Sequence, residues 1–214
     1  MNERRGVVHA FVKKIDVKQG RVVVEYRSIE DKLESTWARI ASPMSGKGRG
    51  ALFMPREGDE ALVAFEDGKF DSPYVVGFLW NGVQTSPEVD PENRVIITPG
   101  GHQLRFEDKE PAKKIVIKST QHTMTLDDTP AAPNISINAG PAGIVSIKLN
   151  TTPPSITVST GGGTVSMDAT GVAIMSAGTL TINAIGAVTV NSPAATFSGT
   201  VQCSTLFTGA VVPI

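Results

Sequence analysis

The sequence of 214 residues contains one cysteine, Cys203, so it can form neither an internal disulfide nor a metal site built from several thiolates. Its N-terminus, MNERRGVVHAFVKK, lacks the apolar core that a secretory signal peptide requires. No run of about 18 apolar residues occurs, which excludes a bilayer-spanning helix. These absences predict a protein that is made in the cytoplasm and stays there until a larger assembly carries it out.

Charge is nearly absent from the last 86 residues of the chain. Of the 20 Lys or Arg and 21 Asp or Glu residues, only Lys148 and Asp168 lie beyond Asp128. The net charge is −1, so no overall field attracts the protein to nucleic acid or to an anionic membrane. Because apolar and small polar residues alternate throughout the charge-poor segment, we expect regular β-structure there and not disorder.

Short strand patterns separated by turns occupy the first 82 residues. In RVVVEYR, the side chains of Val22, Val24 and Tyr26 fall on one face, and the turn at Gln19-Gly20 joins this strand to the preceding one as a hairpin. Five short strands with one long Gly/Pro-rich loop fit a closed barrel of the OB type, which we assign to residues 1–82. The five strand patterns cover residues 6–16, 21–27, 37–41, 60–66 and 73–80.

Beyond a Pro/Glu/Asp-rich linker at residues 83–94, the sequence becomes repetitive. Segments such as VSIKL, SITVS and LTINA are apolar at alternate positions, and successive segments begin 6 to 11 residues apart. This period is typical of a solenoid. So short a repeat cannot close a coil within one chain, and a lone chain would expose its apolar face and its strand edges. The predicted strands begin at residues 115, 124, 135, 145, 155, 164, 172, 180, 188, 195 and 201.

Three copies of the chain would remove the open edges. If each chain passes to the next face after every strand, three chains wound together close a triangular prism. We therefore predict an all-β homotrimer in which the N-terminal five-stranded OB barrel is followed by an intertwined trimeric β-helix at residues 95–205. The predicted trimer core includes Ile174, Ile182 and Val190.

Two blocks of the sequence resemble a known family. Residues 43–82, PMSGKGRGALFMPREGDEALVAFEDGKFDSPYVVGFLWNG, combine a loop containing Pro and an aromatic residue with GDEALVAF, an acidic turn, a Val-Val-Gly strand and Asn-Gly. Residues 97–128, ITPGGHQLRFEDKEPAKKIVIKSTQHTMTLDD, form the second block. They resemble the OB core and the start of the β-helix in the phage baseplate spike family. This family includes baseplate assembly protein V of contractile phages and the valine-glycine-repeat spikes of type VI secretion.

The resemblance implies a structural protein, not an enzyme, with no catalytic, cofactor or metal site. It implies the central spike of a contractile injection apparatus, either a phage tail baseplate or a phage-derived particle. The homotrimer would be made in the bacterial cytoplasm, dock its OB domain on a separate hub protein, and puncture the target outer membrane mechanically. In contrast to larger members, we expect no hub, lysozyme or effector domain here. No His-x-His iron site is expected at the apex, because no histidine follows His122.

The last nine residues, LFTGAVVPI at 206–214, are apolar and uncharged. A β-helix that stops leaves strand ends and apolar surface exposed at its apex. In the resembling family a PAAR-type protein often caps a blunt spike, which implies that three copies of this segment form a platform for such a tip protein. Alternatively, the segment folds back and closes the apex itself. The predicted tip-binding residues are Leu206, Phe207, Val211, Val212 and Ile214.

Several possible chemical sites have simpler explanations. The segment GKGRG at residues 46–50 lacks the spacing of a phosphate-binding loop, because Ala41 stands where the first Gly belongs and Gly48 follows the lysine. His102 and His122 lack a third metal ligand, and Cys203 fits a small core position. Carboxylates beside Gly turns are expected to be solvated and not to form acid/base pairs. These carboxylates are Glu57, Asp59, Glu60, Glu66 and Asp67.

Two alternative functions fit parts of the sequence. An OB barrel can bind single-stranded nucleic acid through aromatic residues beside a basic groove. However, residues 1–82 hold 13 Lys/Arg and 12 Asp/Glu, and Phe53, Phe65 and Phe78 are expected in the core. A soluble β-solenoid enzyme or carbohydrate-binding protein would have longer coils with acidic or aromatic residues on one face. A trimeric mass in solution would favour the spike, and a monomeric mass the solenoid.

Overall fold

The computed structural model describes residues 6–27, 33–140 and 143–202, and this part of the chain is all-β apart from one 3-10 turn at Glu66–Gly68. It divides into two compact units, Met1–Lys113 and Lys114–Ile214. The first unit contains β1 (Val7–Asp16), β2 (Arg21–Tyr26), β3 (Leu33–Glu34), β4 (Ala38–Ile40), β5 (Ser45–Gly46), β6 (Arg49–Gly50), β7 (Glu60–Phe65), β8 (Pro73–Phe78), β9 (Asn93–Ile97) and β10 (Gln103–Glu107). The second contains β11 (Lys114–Lys118), β12 (His122–Asp127), β13 (Asn134–Ala139), β14 (Val145–Thr151), β15 (Pro154–Thr160), β16 (Gly163–Asp168) and β17 (Gly171–Ser176).

Five strands of the first unit close into a barrel. The long strand β1 pairs antiparallel with β2 along one edge and with β7 along the other. Strand β7 pairs with β8, β8 pairs parallel with β4, and β4 pairs with β2, which closes the ring. Five short strands closed in this order form the OB barrel that the sequence predicts.

The barrel core follows from strand alternation. Val22, Val24 and Tyr26 have no exposed surface, as the sequence predicts, and the Tyr26 ring packs 5.0 Å from the Phe70 ring and 5.9 Å from the Phe65 ring. The other fully or almost fully buried core residues are Ala10, Val12, Ala38, Ala61, Val63 and Val75.

Two aromatic residues expected in the core are not there. Phe65 packs against the core, but Phe53 is 63% exposed and Phe78 is 42% exposed. Phe53 lies in the irregular loop before β7, where no strand period determines which side chains point inward. Phe78 is the last residue of β8, beyond the buried stretch of that strand.

The second unit is an antiparallel meander. Strands β11 to β17 pair in chain order, each with the next, and they match the predicted strands that begin at residues 115 to 172. Hairpin turns return the chain to the same sheet, whereas the sequence analysis expected it to pass to another face after each strand. In this region one chain thus builds one continuous sheet.

Residues 177–202 form no strand in this chain. Strands were expected from residues 180, 188 and 195, and the piece that begins at 201 lies partly outside the described residues. A strand needs a neighbour to complete its ladder of hydrogen bonds, and residues 177–202 pair with no strand among the described residues. No helix among the described residues is long and apolar enough to cross a membrane.

Candidate functional site

The meander of β11–β17 has one apolar face, and its large side chains stand in two columns across the seven strands. Pairing places Ile156 between Leu149 and Met167, and Val158 between Ile147 and Val165. Side chains on alternate positions share a face, so the two columns lie on the same side of the sheet. The first column is Ile115, Leu126, Ile135, Leu149, Ile156, Met167 and Val172; the second is Ile117, Met124, Ile137, Ile147, Val158, Val165 and Ile174.

This apolar face is open in the single chain. Most of its side chains are more than a third exposed, from 37% for Leu149 to 61% for Val172. In β15 the alternation is inverted relative to an ordinary half-buried strand, because Ile156 and Val158 are exposed while the serine and threonine side chains between them are less so. Exposed apolar columns of this size mark an interaction surface.

The opposite face of the meander carries small polar side chains. The Ser146 and Ser159 hydroxyls lie 2.7 Å apart across β14 and β15, and the Asn150 side chain donates to the Ser155 hydroxyl at 2.8 Å. Cross-strand bonds of this kind satisfy the polar side chains within the sheet itself. The sheet therefore has a polar side suited to water and an apolar side that the described residues leave largely exposed.

The predicted trimer-core residues fall in two regions. Ile174 ends the second apolar column and is 54% exposed, whereas Ile182 and Val190 lie in residues 177–202 and are 67% and 68% exposed. The assignment of these residues to a trimer core stays a prediction. The predicted tip-binding residues, Leu206 to Ile214, and Cys203 lie outside the described residues.

A groove on the barrel surface is lined by two cations and three carboxylates. It has a volume of about 600 Å³, and its lining includes Lys13, Glu25 and Arg27. The Lys13 ammonium pairs with the Glu25 carboxylate at 3.0 Å, and the Arg27 guanidinium covers the Phe11 ring at 4.2 Å. Both cations and the aromatic ring of this groove thus already have partners within the barrel.

The acidic residues around Gly58 have structural partners. Asp59 accepts a hydrogen bond from the Arg56 backbone N–H at 2.7 Å, as expected for a turn residue. Glu60 differs from the expected solvated carboxylate: its side chain is only 14% exposed, lies 2.6 Å from His9 Nε2 and accepts a hydrogen bond from the Asn81 amide at 2.8 Å. The reason is that Glu60 is the first residue of β7 and not part of the turn.

The two other histidines have turn and strand-end positions. The His102 carbonyl accepts a hydrogen bond from the Thr98 N–H, and His122 Nδ1 accepts one from the Gly140 N–H at 3.3 Å. Glu66 and Asp67 lie in the 3-10 turn, where Asp67 has a positive φ of 51°. Among the described residues, no three His, Cys, Asp or Glu side chains are grouped as metal ligands would be.

A carboxylate clamp that the sequence analysis missed organises residues 86–107. The Glu88 side chain accepts hydrogen bonds from the N–H groups of Val89 and Asp90 and from the Asn93 amide, and it pairs with Arg105 of β10. These bonds, the backbone ones first, lower the pKa of Glu88 from its usual 4.5 to about 2. The segment has a linker-like composition, and no local pattern pairs residue 88 with residue 105.

Replacing Glu88 with Gln is expected to reduce stability in a pH-dependent way. Because its folded-state pKa is depressed, the Glu88 carboxylate stabilises the fold fully above pH 4.5, and this stabilisation disappears as the pH falls towards 2. The thermal midpoints of the native chain and E88Q should therefore differ most near neutral pH and converge in acid. Glu92→Gln is the matched control, since Glu92 is exposed in the same segment. An equal effect of both substitutions would contradict the clamp.

The barrel region is similar in sequence to a known domain. Residues 4–80 match the type VI secretion system/phage-baseplate injector OB domain, and they coincide with the closed barrel. This part of the chain is thus similar to the OB domain of baseplate V and VgrG-like injector proteins. The match includes nearly all of the first block of the predicted resemblance, residues 43–82, and ends before the second block, residues 97–128.

Curated proteins similar to the chain include three spike proteins. The chain is 32% identical over 113 residues to the type VI secretion system spike protein VgrG4b of Pseudomonas aeruginosa, which is 47% of this chain and 14% of the relative. VgrG5 of the same organism is 35% identical over 111 residues, covering 46% and 14%. VgrG3 of Vibrio cholerae is 29% identical over 110 residues, covering 46% and 11%. The chain thus spans about a seventh of the length of the first of these relatives.

Proposed function

We propose that this protein is a structural subunit of the central spike of a contractile injection apparatus, either a phage baseplate or a related secretion particle. The family of residues 4–80 and the relatives named as spike proteins support this assignment. The main supporting observation is the exposed apolar face of β11–β17, because an apolar face of this size usually marks an interaction surface. Its function in this proposal is mechanical and not enzymatic.

Two further copies of the chain cover the apolar face. Three identical sheets, each polar outside and apolar inside, can enclose their columns in a triangular prism. Covering the remaining exposed half of a large apolar side chain stabilises the assembly by about 1 kcal/mol. With two columns of seven side chains in each copy, the gain is large enough to make the trimer obligate.

The other parts of the proposal keep the domain bounds that the sequence predicts. The OB barrel docks on a hub protein in the baseplate, and residues 95–205 form the shaft that sheath contraction drives through the target outer membrane. Residues 177–202 take up strand pairing with the neighbouring copies in the shaft. Residues 206–214 form the platform for a PAAR-type tip protein. The protein is made in the bacterial cytoplasm and is located in the assembled particle.

Mass in solution and location in the particle test the proposal together. Light scattering of the purified chain should give three times the chain mass of 22.6 kDa, and this mass should persist on dilution. Gold-labelled antibody should bind at the baseplate end of purified particles. A monomer in solution would refute the trimeric shaft, and the absence of the chain from particles would refute the spike assignment.

A further inference from the structure

The loop between β4 and β7 contains a rigid hairpin, which we call the tongue and define as residues 42–53. The Ser42 hydroxyl is 3.0 Å from the Met44 carbonyl and 2.7 Å from the Ala51 carbonyl, and the Ala51 N–H donates to Met44 at 2.9 Å. A Cβ at Gly50 would lie 2.9 Å from the Met44 oxygen, so this close approach requires glycine. The tongue is therefore an ordered element whose backbone is held at its base.

Both ends of the tongue are fixed to the barrel. On the entry side, the Ala41 N–H donates a hydrogen bond to the Val75 carbonyl of β8 at 2.8 Å. On the exit side, Met54 packs against the barrel core and Pro55 is buried. The tongue between these anchors is held on the OB domain at a fixed place.

The tongue exposes large apolar side chains although the residues that follow it are buried. Leu52 is 67% exposed, Phe53 is 63% exposed and Met44 is 53% exposed. Pro55, only two positions after Phe53, is buried. The barrel core is therefore close to the end of the tongue, but the Leu52 and Phe53 side chains remain exposed. Aromatic residues and methionine are enriched in the buried centres of protein interfaces.

The charge of the tongue has one sign. Lys47 and Arg49 are its charged residues, and it contains no Asp or Glu. Neither cation forms an ion pair with any other described residue. An apolar centre with free cations beside it is complementary to an apolar pocket bordered by carboxylates.

We propose that the tongue is the docking element of the OB domain and that it inserts Leu52 and Phe53 into an apolar pocket, bordered by carboxylates, on a different protein of the baseplate. This inference rests on the proposed function, and it names the docking element of the OB domain and the chemistry of the surface that binds it. Contact between two tongues is disfavoured because it would bring like charges together. A membrane is also disfavoured, since recognition of anionic lipid usually takes clusters of four to eight basic residues and the tongue has two.

Site-specific photo-crosslinking in the assembled particle tests the tongue directly. Benzoylphenylalanine is placed at position 53 of the full chain in one sample and at position 83 in the control, because Val83 is apolar and 93% exposed in the same unit. We expect position 53 to crosslink to peptides of one other baseplate protein, next to Asp or Glu residues, and position 83 not to crosslink there. A crosslink from position 53 to this chain itself, or none, would overturn the inference and leave the spike assignment intact.

Charge reversal supplies an independent measurement. The double substitution Lys47→Glu and Arg49→Glu should lower incorporation of the chain into particles by at least about tenfold, equivalent to about 1.4 kcal/mol of docking free energy. The matched control, Lys18→Glu with Arg21→Glu, reverses two exposed cations at the β1–β2 turn and should leave incorporation unchanged. Equal effects of both pairs would overturn the inference, as would binding of the purified chain to phosphatidylglycerol vesicles through position 53. Absence of the unmodified chain from particles would instead refute the spike assignment and this inference with it.

Discussion

Replacing Val158 with Asp is expected to abolish the trimer. Val158 lies in the second apolar column between Ile147 and Val165, and in the proposed prism its three copies are enclosed together. An unpaired buried charge costs several kcal/mol, and here three of them meet in one layer. Light scattering should show a monomer in place of the trimer, and the resistance of the assembly to heat and detergent should be lost.

Thr157→Asp is the control for this experiment. Thr157 precedes Val158 on the polar face and lies opposite Lys148 of β14, so a carboxylate there gains a cationic neighbour across the strands. This variant should remain trimeric. If V158D also stays trimeric and resistant, the apolar columns do not line the trimer interior and the proposed prism is wrong.

Replacing Tyr26 with Ala is expected to unfold the OB barrel while the trimer persists. The Tyr26 side chain is fully buried and packs on Phe65 and Phe70, so truncating it leaves a large cavity that costs about 3–5 kcal/mol. Both tryptophans, Trp37 and Trp80, lie in the first unit, so their fluorescence reports its unfolding by denaturant separately from the meander. Docking to the particle should fail in parallel.

The control for this substitution is Tyr26→Phe, which keeps the ring and removes the hydroxyl. It should cost no more than about 1.5 kcal/mol. The mass of both variants should still be three times that of one chain. Loss of the trimer in Y26A would show that the two units depend on each other for folding, contrary to the separate roles proposed here.

Periodicity was enough to predict the regular parts of the fold. Val22, Val24 and Tyr26 alternate along β2 and all three face the core, because a strand allows only two faces. The same rule located β11–β17 from their alternating residues, since each strand pairs with its neighbour in sequence. In both regions the local pattern and the tertiary contacts agree.

Periodicity failed where the chain is irregular or where the partner residue is distant. Phe53 is apolar and was expected in the core, but the tongue has no repeating geometry that would assign its side chains to a side. The β9–β10 hairpin brings Arg105 to Glu88, so the residues next to either one in the sequence do not indicate this ion pair. For residues 180–199 the alternating pattern is present, but the part of the chain that the structure describes offers no neighbour to the strands that this pattern predicts.

The sequential pairing of the meander has a consequence for the order of assembly. Every strand pair from β11 to β17 joins neighbours along the chain, so these contacts have a short sequence separation. Chains rich in local contacts close their loops at low entropic cost and fold quickly. Each copy should therefore complete its own sheet before it meets another copy, and the rate of trimer formation should rise with protein concentration. Residues 177–202 pair with no other described strand of their own chain, so they should gain protection from amide hydrogen exchange only after that encounter.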